Sequence, residues 1–255
     1  MSQSIQTSDE NAYQNIKKIS DQRYKEISEM VAPFIEMTDK YGELVCKLTE
    51  LLGNFKPKSR QDKIVRDMYN DIFDFLYEAR ELILAGKITV AFPLARRAFE
   101  SQSLLAAFIQ DEKIAIQWDS GKEFSNSEMR EFHSKSKLKE DKEVMRDLYK
   151  FYTKGSHPNR GLIGVRFLGE GNQFTLGVIG APDLILLSKH LIELTHLWFW
   201  YGACVMYFYS AEIQKHNYSL FEEYKLVSSK APEVKEWLAE ELNRLLEEYK
   251  SESLK

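Results

Sequence analysis

The sequence carries only two cysteines, Cys46 and Cys204. They fall in different predicted helices and form no Cys-x-x-Cys pair. That excludes a disulfide framework and a zinc knuckle and points to a reducing, cytoplasmic setting. The opening residues, MSQSIQTSDENAYQ, lack a basic stretch followed by an apolar run, so no secretory signal is expected. No apolar run is long enough to cross a bilayer. The uninterrupted part of 184–211 is Leu197–Tyr209, 13 residues, and Lys189, His190, Glu193 and His196 interrupt what precedes it. A buried central helix, and no membrane partner, is the expectation.

The familiar catalytic signatures are missing as well. There is no Gly-x-Ser-x-Gly elbow, no Walker A loop and no His-Glu-x-x-His. Gly169-x-Gly171 sits between two predicted strands rather than between a strand and a helix, so it is not a dinucleotide loop. Glu193-x-x-His196 has the step used by di-iron bundles, but those need a second copy and there is none. A polar pair inside a crowded helix is the better reading. No metal and no cofactor are expected. With a net charge of −4, the surface as a whole does not advertise nucleic acid.

What is present is helical periodicity, in a chain that is 44% hydrophobic and 29% charged. Asp9–Ala32 and Pro33–Leu52 read as two helices broken at Pro33. Ser59 with Asp62 reads as an N-cap for a helix that shows Ile64, Met68, Ile72, Phe75, Ala79 and Leu82 and ends at Gly86. Ile88–Gln110 is apolar nearly all round and therefore central, with Pro93 near its start. A short piece follows at Ile114–Trp118. Ser125 and Glu128 form a capping box for a segment reaching about Leu138. Asp141–Lys154 is expected to be closed by Gly155. Leu162–Leu168 and Gln173–Ile179, separated by Gly169–Asn172, read as a β-hairpin. Asp183–Gln214 is the long central helix. Leu220–Ser228 and Pro232–Lys250 form a helical tail, in which Val234, Trp237, Leu238, Leu242, Leu245 and Tyr249 make one apolar stripe. The expected fold is thus all-α, a multi-helix bundle with one β-hairpin insertion and an amphipathic C-terminal helix. The expected units are an N-terminal helical pair (1–58), a main helical domain with the hairpin at 162–179 (59–215) and a C-terminal tail (216–255).

Two segments hold the candidate chemistry: LARRAFE at 94–100 and FYTKGSHPNRG at 151–161. A charged group on an apolar helix must find a partner. At roughly 100° per residue Arg97 projects among Leu94, Leu104 and Phe108. Arg96 and Glu100, four apart, can pair. One reading is a guanidinium presented to phosphate, with Glu100 fixing it; the other is a structural ion pair tying the helix to its neighbours. Pro158 pushes His157 towards an extended conformation, which holds its imidazole in a defined place. There it can serve as an acid or base near neutral pH, or as a loop anchor. Lys154 and Arg160 flank it. The segment 130–166 holds ten Lys/Arg against five Asp/Glu, a basic island suited to a phosphate-bearing ligand.

LARRAFE, the Tyr-rich helix at 148–152, the Ser-His-Pro step and the long apolar helix together resemble a group of bacterial helical proteins of unknown function. The layout of that group is similar to the HEPN superfamily, which includes toxin and antiviral-defence ribonucleases. The resemblance covers about 59–209. It implies a metal-independent ribonuclease or a nucleotide-binding module, often dimeric, with RNA or a nucleotide as partner. HEPN ribonucleases usually carry Arg and His four to six residues apart on one helix; here Arg130 is three before His133 and Arg146 eleven before His157. On this reading His157 is the acid/base, Arg97 stabilises phosphate charge and Glu100 orients the arginine, while Arg96, Lys154 and Arg160 bind phosphate. The alternative is a non-catalytic interaction or regulatory module whose C-terminal helix docks a second copy or a partner protein.

Overall fold

In the computed structural model, residues 12–135, 142–156 and 184–253 are described, and among them every element is a helix. In chain order they are α1 (Ala12–Met30), α2 (Ala32–Gly53), α3 (Arg60–Leu84), α4 (Ile88–Gln110), α5 (Glu112–Asp119), α6 (Asn126–Lys135), α7 (Lys142–Ser156), α8 (Leu184–His216) and α9 (Tyr218–Ser253).

The caps follow from the sequence. Ser59 is extended, and its side chain accepts the Asp62 amide, starting α3. Gly86, at φ +75°, ends the turn after α3. Its amide donates to Ile83 and the Lys87 amide to Leu82, the paired bonds that close a helix through a left-handed residue. At the start of α6 the Glu128 carboxylate accepts the Ser125 amide, and the Glu128 amide donates back to the Ser125 hydroxyl.

Helix α4 lies in the middle, packed against α3, α7 and α8. Helix α8 packs most extensively against α9 and also meets α2, α3 and α4. One continuous apolar core runs from Ile27 in α1 to Leu238 in α9. Gln102 on α4 donates to the Leu197 carbonyl at 2.9 Å, a polar cross-tie inside that core. Among the described residues no helix is long and apolar enough to cross a membrane.

Four expectations change. The bundle with a β-hairpin insertion becomes, for the described residues, helix on helix alone. No strand occurs among them, the apolar faces bury against one another, and the expected hairpin at 162–179 lies outside the described residues. The C-terminal tail is one helix rather than two, and Pro232 sits inside it. Leu220, Tyr224, Val227, Ala231, Val234 and Leu238 recur at steps of four and three straight through the proline, and all are buried. That packing outweighs the lost amide bond, which costs about 3 kcal/mol in an unsupported helix. The stripe expected as a docking face is therefore covered within the chain as far as Leu238, by α8 and α2. Finally, Gly155 does not stop α7, which continues to Ser156.

Candidate functional site

The α4–α7 seam brings the sequence-selected residues together in part. Helix α4 turns Ala91, Phe92, Ala95, Ala98 and Phe99 inward and leaves Arg96 on its flank. Helix α7 buries Met145, Leu148 and Tyr152, so Tyr149 falls beside that face. Phe92 meets Phe151 and Gly155 at one end, and Arg96, one turn along, meets Tyr149. The two helices thus run antiparallel.

Arg96 Nε donates to Glu100 Oε1 at 3.0 Å, and an Nη donates to the Tyr149 hydroxyl at 3.3 Å. The guanidinium also lies 5.4 Å from the Tyr149 ring centroid. Both members of the ion pair are 23% exposed. A guanidinium has five N–H donors, and these two bonds leave the others uncommitted among the described residues. The pair expected from the four-residue spacing is therefore formed, and it holds the arginine plane from two sides.

Arg97 goes the other way. It is exposed, and its guanidinium lies 5.7 Å from the Phe75 ring centroid on α3. On the continuous α4 helix Arg97 shares a face with Leu94, Leu104 and Phe108, and its guanidinium lies at the exposed edge of that face, towards α3. One residue is about 100° of helix phase, so Arg97 lies towards α3 while Arg96 lies towards α7. Glu100 orients Arg96 instead. Lys154 is exposed in the last turn of α7. His157 and Arg160 lie outside the described residues.

Sequence reasoning missed two features. The first is Tyr149; its position next to the buried Met145, Leu148 and Tyr152 is the signal that it borders the seam. The second is His190 of α8, fully buried behind the seam. Its ring stacks on Phe92 at 4.3 Å and meets Phe151 edge-on at 5.9 Å. Neither ring nitrogen, nor the nearby buried Tyr152 hydroxyl, has a hydrogen-bond partner among the described residues. Burial in this apolar cage pushes the His190 pKa down to about 3. Glu193, one turn on, is pushed up by burial, against the pull of Lys235 and Lys189. Among the described residues no three His, Cys, Asp or Glu side chains are gathered to hold a metal ion.

The arrangement can orient one guanidinium towards an anion at the surface of the α4–α7 seam. His190 is sealed and neutral and has no access to such an anion. No protein-family model, no curated protein and no solved structure matches this chain.

Proposed function

We propose that the Arg96–Glu100–Tyr149 cluster receives a phosphate of RNA or of a nucleotide, and that the protein acts on or binds that ligand as a HEPN-like helical module. The observation that carries the reading is the half-buried Arg96, held by a carboxylate and a phenol with N–H donors to spare. A pre-oriented guanidinium of this kind suits a phosphate better than a mobile lysine does. Arg97 on α4 and Lys154 on α7 are exposed on the same two helices. A role in toxin or antiviral-defence activity is part of this proposal, with His157, in the segment that follows α7, as the acid or base.

One observation favours a second reading. Glu100 already neutralises Arg96, so the pair is complete without a ligand, as a non-catalytic interaction or regulatory module would have it. RNA cleavage in EDTA by wild type, His157→Ala and Arg96→Ala, with helicity of each checked by circular dichroism, separates the two. Cleavage lost in both folded variants supports the nuclease. Salt-dependent binding without cleavage, with a log–log slope reduced by about 1 in Arg96→Ala, supports a binding module. No binding and no cleavage by wild type overturns the phosphate reading.

A further inference from the structure

At the far end of α8 the chain forms a concavity of about 460 Å³ that none of the chemistry above uses. Its walls are the turn between α2 and α3, the first turns of α3 and the last turns of α8. His190 and Glu212 are 22 positions apart on α8, about 33 Å along the helix axis, so this site and the α4–α7 seam lie at opposite ends of the bundle.

The floor is built before any ligand arrives. Asp62 is 5% exposed, and its carboxylate accepts four hydrogen bonds. They come from Arg66 Nε (3.1 Å) and Nη2 (3.0 Å), the Lys58 amide (2.8 Å) and the Tyr209 hydroxyl (2.9 Å). Arg66 Nη1 donates to the carbonyls of Leu52 and Phe55, at 2.7 and 2.8 Å. The Asp62 carboxylate is thus saturated, and neither it nor Arg66 needs a ligand. Together they hold the α2–α3 turn rigidly in place as one wall.

The rest of the lining selects. Phe55 is 40% exposed and lies 4.6 Å from the His216 ring, leaving an aromatic face at the mouth. Phe208 and Tyr209 supply further apolar wall. Among the charged lining groups, Arg66 is neutralised by Asp62 and Lys58 is paired with Glu212. Lys56 has no acidic partner among the described residues. The concavity therefore offers an aromatic wall from Phe55, Phe208 and Tyr209 beside a polar lining in which one positive charge is uncompensated, in a preformed space of small-molecule size.

We propose that this concavity binds a small organic monoanion with a flat aromatic body, an aromatic carboxylate in kind. The aromatic body lies against Phe55 and Phe208, and the carboxylate faces Lys56. A phosphate-rich ligand fits less well, because two of the three lining cations already carry a counter-charge. The inference stands independently of the reading of the α4–α7 seam.

The test uses the full chain and three probes: naphthoate, its neutral analogue naphthalenemethanol, and acetate. Binding is followed by calorimetry and by the ring-proton signals of His216. Lys56→Gln and Phe55→Ala are compared with wild type, and their unfolding midpoints are measured to confirm that both fold. The expected result is saturable naphthoate binding that shifts the His216 signals, with affinity lowered about three- to fivefold in Lys56→Gln and lowered again in Phe55→Ala. Naphthalenemethanol should bind more weakly than naphthoate to wild type, and acetate should not saturate. The proposal is overturned if naphthoate leaves the His216 signals unmoved. It is equally overturned if naphthoate and its neutral analogue bind alike in wild type and in Lys56→Gln, or if acetate competes as well as naphthoate does.

Discussion

Gly155 of α7 lies so close to Phe92 of α4 that a Cβ on the glycine would stand 1.9 Å from a ring carbon. The close approach is what lets Phe92 slide between α7 and the His190 ring, which it stacks at 4.3 Å. A residue that looks like a helix stop is thus the contact point of the candidate site's two helices.

Replacing Gly155 by alanine is expected to destabilise the protein. Alanine gains about 1 kcal/mol of helix propensity, but the aromatic ring behind it is packed and cannot yield cheaply, and overpacking costs about 1–3 kcal/mol. Gly42 of α2 is the control. A Cβ there meets only Phe73, at an ordinary 4.0 Å, so Gly42→Ala is expected to stabilise by about 0.5–1 kcal/mol. Urea unfolding of both variants checks the pair, and shifts in the same direction would mean that Phe92 yields to a Cβ at position 155.

His190 predicts an acid-sensitive stability. Burial lowers its native pKa to about 3 from the usual 6.5. Between those values the unfolded chain binds a proton that the native state refuses, so stability falls as pH drops from 6.5 towards 3. His196, lowered first by burial and then by Lys235 to about 4, acts in the same direction. In His190→Phe the slope of stability against pH across that window should become shallower. Stability at neutral pH should rise by about 1–3 kcal/mol as two unpartnered buried nitrogens disappear. An unchanged slope would mean that His190 is not sealed in the native state.

At the other end of the molecule, Tyr209→Phe should cost about 1 kcal/mol, one hydrogen bond to a carboxylate that keeps its other donors. Asp62→Ala should cost about 3–5 kcal/mol, because it strands the part-buried Arg66. Burial works to raise the Asp62 pKa, but Arg66, the Lys58 amide and Tyr209 hold it below the usual 3.8. Its contribution is therefore present above 3.8 and lost as pH falls further. Thermal unfolding of the two variants across the acid range reads both effects.

For the seam, a double-mutant cycle on Arg96→Ala and Glu100→Ala should return a coupling of about 0.3–0.5 kcal/mol, the range of ion pairs four apart on a helix. Tyr149→Phe removes one 3.3 Å bond and leaves the ring beside the guanidinium, so it should cost less than either alanine substitution. A coupling near zero would mean that Glu100 does not hold Arg96 in solution.

Much of this was legible from residue order, because it rests on local rules. The caps at Ser59, Gly86 and Ser125, the bounds of Ile88–Gln110 and the pairing of Arg96 with Glu100 depend on neighbours three or four positions away. What escaped depended on partners far along the chain. Gly155 carries one meaning as the end of a helix and another as a gap for Phe92, 63 positions earlier, and only the helix crossing selects between them. Pro232 reads as a break until α8 buries the heptad stripe that runs through it. Arg97 and Arg96 differ by a single step of helix phase, and the packing of α4 between α3 and α7 settled which of them faces Tyr149. The sequence by itself determined most helix starts and the apolar stripes, since capping and periodicity are local. The tertiary structure decided which polar groups meet, since a side chain's partner depends on how distant helices cross.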